Sequence, residues 1–527
     1  MSDGRVRRAT GFRLADLPGA GDTAMEAVHG GAPYDVLLGS HQLASPQWGV
    51  AARTAATDEH PRERSVAFDL NHVHCLGVFG QPGAGKSYTM GTLMEMACQP
   101  CPGANALPSP LCVMMFHYSA SEVSEPEFVT MAQANTNTTE TDLLHRFYGV
   151  DPRACDDVVI MAPANAVPRR TREFPGVPVV PLLFHPTELR VAQWKILMGA
   201  VGEKSLYLEV LKLAMKRCRE HLSVAAIRRE ILESDLSQHE KDMAGIRLDV
   251  LDQYIDAAGG IMRHCRPGRL IIVDLRDEFL EKDEVFSLLI VLMQVFGDAR
   301  QRTDAEWAAW YAGDCPDLRH AIDAQEQRWQ ALAREVHEAR RVADTAAPMA
   351  DQQREMAQLT LQLRAQYERL ATAALERLER GEEETGEQIQ KMVVYDEGHK
   401  FMTDPALVAV LVEAIREMRH KACSIMIASQ DPPSIPQVIL ELSTHLILHK
   451  MTAPAWLAHI QTVNAALADL GVADVATLGT GEAWVWATRA SEPRYRTQPT
   501  KVRFRPRFSQ HGGATKAAVT GTETEGV

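Results

Sequence analysis

The chain has 527 residues, 46% hydrophobic and 24% charged. This is ordinary globular composition and long enough for two or more domains. Its longest apolar run, FSLLIVLMQVF from Phe286, has 11 residues, short of the ~18–20 that a membrane-spanning helix needs, so it reads as a core helix and no membrane partner is expected. A formal net charge of −14 excludes a protein that coats nucleic acid over its whole surface, though not one with a locally basic channel.

In chain order, residues 1–35 are rich in Gly, Ala and Asp and read as a flexible leader. They carry basic residues but no apolar signal region. The nine cysteines are scattered and odd in number, which suits a reducing compartment. The expected location is therefore cytoplasmic. Residues 36–70 read as a short β-rich segment, entered through the strand candidate YDVLL that begins at Tyr34.

Next comes HCLGVFGQPGAGKSYTM. Gly80, Gly85, Lys86 and Ser87 fit the G-x-x-x-x-G-K-[ST] phosphate loop, with a credible strand before it and a credible helix after it. The nucleotide-binding set is Gly80, Gln81, Pro82, Gly83, Ala84, Gly85, Lys86, Ser87 and Tyr88. In such a loop the backbone N–H groups and the helix N-terminus face phosphates. Lys86 would contact the β- and γ-phosphates of ATP, and Ser87 would ligate Mg2+. Downstream, Cys98, Cys101, Cys112 and His117 can be written as a zinc pattern. Cys112 and His117, however, lie five apart on one predicted strand and face opposite sides.

Further strand candidates are LCVMMFHYS, DVVIMA, LIIVDL, KMVVYD, CSIMIAS and THLILHK. Several are almost continuously apolar, as in parallel strands covered on both faces. Helical patterns such as VAQWKILMGAV and DPALVAVLVEAIREMRHKA separate many of them, which predicts an α/β fold with a mostly parallel sheet. The stretch 301–387 differs. Leu318, Ile322, Gln325, Trp329, Leu332, Val336, Ala339 and Ala343 recur at steps of four and three, and after TAAPM a second seam runs from Met356 to Leu378. Together they predict an antiparallel coiled-coil hairpin about 40 Å long, projecting into solvent.

After this insertion, MVVYDEGHKF ends an apolar strand in two acids. Asp396, at the tip of a strand neighbouring the loop strand, would hold Mg2+ through water. Glu397, pointing elsewhere, would polarise the attacking water as general base. CSIMIASQ brings Gln430 to the same sheet edge, where its amide would sense the γ-phosphate or orient the water. The densest basic stretch, PRYRTQPTKVRFRPRF, interleaves Arg494, Arg496, Lys501, Arg503, Arg505 and Arg507 with aromatics. It suits either a nucleic-acid track or a solvated edge strand. Residues 509–527 read as a disordered tail.

The succession HVHCLGVFGQPGAGKS, RLIIVDLRDEF, MVVYDEGHKF, IREMRHKACSIMIASQDPPSIP, THLILHK and LGTGEAWVW resembles HerA-like ATPases of the HerA–FtsK class. The resemblance implies a discontinuous RecA-like domain, residues 71–300 and 388–508, assembled as a hexameric ring. It also implies that the ring translocates double-stranded DNA, often beside a nuclease or other effector; the helical hairpin, which is not a general feature of the family, is the expected contact for such a partner. By the same resemblance, Arg416 or Arg419 would be the finger reaching a neighbouring subunit's nucleotide. An alternative from another class is an ATP-gated oligomeric scaffold that regulates a partner without moving DNA. A coiled coil between the nucleotide motifs also occurs in SMC-type ATPases. Those need a Leu-Ser-Gly-Gly-like signature before the acidic strand, where this chain has LERLERGEEETGEQIQ.

Overall fold

The computed structural model describes residues 33–55, 62–119, 125–198, 206–217, 223–302 and 387–512, together with residue 331. The two helical seams expected at 318–343 and 356–378, most of the leader, and the tail beyond residue 512 lie outside these residues.

The N-terminal strands are β1 (Val36–Leu38), β2 (Trp48–Thr54) and β3 (Arg64–Asp69). β4 (Cys75–Phe79) leads through the glycine loop into helix α1 (Lys86–Cys98). Then come β5 (Asn105–Ala106), β6 (Cys112–His117), β7 (Val158–Ala162), β8 (Val179–Pro181) and β9 (Leu270–Asp274), followed by helix α2 (Lys282–Asp298). β10 (Arg300–Gln301) and β11 (Glu387–Gln388) pair antiparallel, one on each side of the insertion. The chain closes with β12 (Lys391–Tyr395), helix α3 (Pro405–Lys421), β13 (Cys423–Ser429), β14 (His445–Leu448), β15 (Glu482–Ala487) and β16 (Thr500–Phe504).

Among the described residues fourteen strands make one sheet, in the order β1-β3-β2-β16-β15-β14-β4-β13-β12-β6-β9-β7-β8, with β5 beside β2. From β14 to β8 every pairing is parallel. The central strands of this half, β4, β12 and β13, are buried along their whole length. Their apolar runs are covered on both faces, as parallel strands require. Met90, Leu93 and Met94 of α1 pack on one face, and α2 and α3 cover the other through Leu289, Val291, Leu407 and Leu411. This is the α/β, RecA-like architecture expected from the sequence.

The other half is antiparallel, apart from the parallel β1–β3 pair. β15 and β16 alternate in burial along their length, the period-2 signature of strands with one covered face. β16 lies between β15 and β2, so the basic stretch is not an edge strand. The chain also stays packed beyond residue 508: buried Ser509 donates its backbone N–H and hydroxyl to Glu95 at 3.0 and 2.7 Å.

Candidate nucleotide site

The glycine loop turns sharply where β4 meets α1. Gly83 and Gly85 adopt φ of 74° and 102°, left-handed values that favour glycine. A side chain at Gly80 would place Cβ 2.7 Å from Cβ of His449, and one at Gly85 would meet the Gly481 backbone nitrogen at 3.2 Å. The loop is thus wedged between β4 and the Gly479–Glu482 turn. Gln81 donates its N–H to Lys450 O at 2.9 Å, and Ala84 donates to Gln81 O at 3.2 Å. Among the described residues, no protein acceptor takes the N–H groups of Gly83, Gly85, Lys86 or Ser87. These are the donors that a phosphate takes up at a helix N-terminus. Lys86 is 7% exposed and donates Nζ to Gln81 O at 3.1 Å. Burial lowers its pKa, opposed by the charges of Glu397 and Asp396.

The acidic pair reaches the same edge, but not from an adjacent strand. β13 lies between β4 and β12, so the expectation that Asp396 ends a strand neighbouring the loop strand is corrected. The intervening strand carries the third group. Register pairs Ser429 with Phe79 and Tyr395 with Ile427, so Gln430 leaves the sheet between loop and acids. Its Nε2 donates to Glu397 Oε2 at 2.8 Å. His399 Nδ1 approaches the same oxygen at 3.2 Å.

Glu397 has φ 53° and ψ 50°, a left-handed conformation costing about 1–2 kcal/mol for a residue with a side chain. Such strain clusters at functional sites. Gly398 makes the turn possible: a Cβ there would sit 2.7 Å from Ile427 Cγ2. Asp396 accepts the Glu397 N–H at 2.9 Å. Burial, then the like charges of Glu397 and Glu127, push its carboxyl up to about 7. A divalent cation would reverse that shift, because an opposite charge favours the ionised form. The donor set therefore fits Mg2+ and ATP: free loop N–H groups, an ammonium, a hydroxyl at Ser87 and a carboxylate short of counter-charge.

Other expected site residues are placed differently. Tyr88 turns to the outer side of α1, where its hydroxyl donates to Glu140 Oε2 at 2.8 Å and accepts the Arg507 N–H at 2.9 Å. Arg416 and Arg419 are exposed on the last turns of α3. That helix starts beside the acidic edge and runs to the opposite end of the sheet, where β13 begins, so neither arginine belongs to this chain's own loop. Among the described residues no group of three or more His, Cys, Asp or Glu is placed to hold a metal, and the zinc reading of Cys98, Cys101, Cys112 and His117 is dropped.

The basic stretch is largely consumed by the fold. Arg505 is buried, pairing with Glu95 at 2.5 Å and lying 3.7 Å over the Phe508 ring. The Arg507 guanidinium lies against Gly91, where a Cβ would meet Cζ at 2.6 Å. Lys501 and Arg503 both pair with Glu482, at 2.9 and 3.2 Å.

Three residues were missed by sequence reasoning. Glu127 raises the Asp396 pKa by its charge and pairs with His511 at 2.9 Å. His449 wedges behind the loop with Nδ1 2.9 Å from Glu482 O, and burial pulls its pKa down to about 4. Gly481 abuts Gly85. No local pattern marks any of them, because each reaches the loop through distant pairing.

No protein-family model and no curated protein sequence matches the chain. Solved structures with some likeness include VirB4 of Thermoanaerobacter pseudethanolicus, at 12% identity over 86% of this chain and 96% of that one, with a TM-score of 0.36. The bacterial conjugative coupling protein TrwBdeltaN70 shares 12% identity over 85% and 88%, with a TM-score of 0.38. The genome packaging NTPase B204 from Sulfolobus turreted icosahedral virus 2, in complex with ATP-gammaS, shares 15% over 22% and 52%, with a TM-score of 0.17. At these scores the strand order, rather than the likeness, defines the fold.

Proposed function

We propose that the protein is an ATP-hydrolysing motor of HerA-like type that works as a ring and moves double-stranded DNA. The observation that supports hydrolysis best is the meeting of Lys86, Asp396, Glu397 and Gln430 at one sheet edge, with Gln430 held 2.8 Å from Glu397. Mg2+, when bound, neutralises charge on the β- and γ-phosphates. Ser87 and Asp396 would hold the cation. Lys86 leaves Gln81 O for the phosphates, and the loop N–H groups line them. Glu397, steadied by Gln430, takes a proton from the attacking water. Gln430, at the end of β13 and 2.8 Å from Glu397, would sense the γ-phosphate or orient the water.

The ring reading draws on α3. Arg416 and Arg419 are exposed, sit on the last turns of α3 towards the end of the sheet opposite this chain's own loop, and have no ion-pair partner among the described residues. A trans finger needs this placement. Subunits of about the same fold, six to a ring, would then act in sequence, with an effector or nuclease as an associated partner. A second reading, an ATP-gated scaffold that regulates a partner, draws on the burial of Arg505 and Arg507, which removes the most obvious basic track for DNA. ATP turnover measured with and without duplex DNA tests both. Stimulation by duplex is expected; turnover indifferent to duplex across salt concentrations sinks the translocase reading in favour of the scaffold.

A further inference from the structure

Glu397 Oε2, the oxygen that accepts the Gln430 amide at 2.8 Å, has a second nitrogen beside it: His399 Nδ1, 3.2 Å away. The turn after β12 explains this approach. Glu397, at φ 53°, reverses the chain, and its carbonyl accepts the Lys400 N–H at 2.8 Å. Phe401 and Met402 donate their N–H groups to Gly398 O at 3.0 and 3.1 Å. Phe401 is buried and packs on the rings of Tyr395 and Tyr118, with centroids 5.7 and 6.4 Å apart. The short turn Gly398–Lys400 is therefore held between a left-handed residue and an anchored ring, and it returns the His399 imidazole to the carboxylate that precedes it.

The Nδ1 atom is buried and makes no aligned hydrogen bond among the described residues, although its distance from Glu397 Oε2 is that of one. Catalytic hydrogen bonds are often long or poorly aligned before substrate binds and tighten in its complex. A buried N–H left unmade is costly, which favours that alignment. Gln430 and His399 thus both address Oε2, and no group among the described residues takes Oε1.

We propose that His399 is a positioning residue for hydrolysis: its Nδ1–H, together with the Gln430 amide, holds Glu397 Oε2 so that Oε1 is presented to the attacking water. The inference rests on the reading of Glu397 as general base. A base must lie within hydrogen-bond reach of the proton it removes, and a misplacement of about 1 Å can cost ~10²-fold in rate. A glutamate side chain is long and rotates freely, and two donors on one oxygen fix the plane and direction of its carboxylate. They come from different elements, Gln430 from the end of β13 and His399 from the turn after β12, so the carboxylate is set by both strands. With the proton on Nδ1, the neutral ring keeps Nε2 as an acceptor.

Phosphate release and the binding of a fluorescent ATP analogue, both measured on the full chain, test this. His399→Leu is expected to lower kcat ~10-fold or more, as for loss of a hydrogen bond to a charged group, with nucleotide affinity unchanged. His399→Asn, whose amide nitrogen stands where Nδ1 stands, should recover most of the loss. Because the ring acts through Glu397, adding His399→Leu to Glu397→Gln should cost nothing further. His399→Ala gives a second arm if the leucine variant folds poorly: imidazole added to the assay should restore part of its turnover, which a merely structural role would not allow. Normal kcat in His399→Leu, an asparagine variant as slow as the leucine one, no rescue by imidazole, or a further loss in the Glu397→Gln background overturns the proposal. Near-normal turnover in Glu397→Gln alone overturns instead the reading of Glu397 as base, on which the proposal rests.

Discussion

The two ends of β12 carry opposite chemistry only five residues apart. At its C-terminal end, Asp396 and Glu397 face Lys86 and Gln430 beside the glycine loop. At its N-terminal end, Lys391 faces a cavity lined with arginines. Between them Met392, Val393, Val394 and Tyr395 are buried, and a strand covered on both faces leaves charge no place except its ends. Burial penalises the charged form at each end. It raises the Asp396 pKa to about 7 and lowers that of Lys391. The acid end is short of a cation, whereas at the basic end the Lys391 ammonium donates to the carbonyls of Gly297 and Ala299. One strand thus carries an acidic pair at one end and a buried lysine at the other.

The largest effect should come from the acid end. Glu397→Gln is expected to retain ATP binding while lowering turnover by up to ~10⁴, the upper range for a positioned general base. Lys86→Ala should also weaken nucleotide binding. Near-normal turnover in both, measured by phosphate release, would dissolve the distinction between the two ends.

Next in size are the arginines near the basic end. Arg416→Ala or Arg419→Ala should lower turnover by about 10³, as for a finger that stabilises transition-state charge. Its subunits retain intact glycine loops, so adding Lys86→Ala protein should restore part of the activity once subunits exchange. Absence of rescue despite demonstrated exchange would remove the trans finger and confine catalysis to the acid end of each chain.

A smaller loss is expected where the ends of β12 and β13 touch. Gln430→Ala removes a charge-assisted hydrogen bond to Glu397 and should reduce turnover about 10- to 100-fold. Gly398→Ala pushes a methyl against Ile427 and should destabilise the fold by about 1–3 kcal/mol, read as a lowered thermal midpoint. An unchanged midpoint would mean that the two strand ends are not in register as described.

The smallest effect concerns protons. With its pKa raised, Asp396 holds a proton below about pH 7, whereas a bound cation favours the carboxylate. Binding of Mg-nucleotide should therefore release about half a proton near pH 7 and strengthen as pH rises from about 6 to 8. For the protein without ligand the sign is opposite. The native state holds this proton more tightly than the unfolded chain, so the contribution favours folding at low pH and is lost as pH rises through the ordinary carboxylate range towards about 7. Calorimetry in buffers of different ionisation enthalpy reads the released protons, and Asp396→Asn should abolish that share of the release.

Much of the parallel half was legible in the chain. Seven of the eight strand candidates, HCLGVFG to THLILHK, fall on its strands, with β8 unforeseen, and the eighth, YDVLL, falls on β1 of the other half, because continuous apolar runs and glycine breaks are local signals. β2, β3 and β15 were not singled out: β15 alternates in burial, a pattern shared with exposed segments, and β2 and β3 mix small, polar and apolar residues without a continuous apolar run, so that which face is covered depends on the tertiary structure.

What the sequence determined by itself is the local chemistry: a glycine loop that presents N–H groups, an apolar strand ending in Asp-Glu, and a glutamine closing the next strand. Tertiary structure alone decided which of these meet. It placed β13 between β4 and β12, so that Gln430 reaches Glu397. It also buried Arg505 and Arg507, which composition had offered to DNA, and gathered Arg190, Arg300, Arg302, Lys391 and Lys421, spread over more than two hundred residues, around one cavity. The reason is physical: hydrophobic periodicity is written within a dozen neighbouring residues, whereas strand order and the partner of each charge are set by long-range pairing that no local pattern encodes.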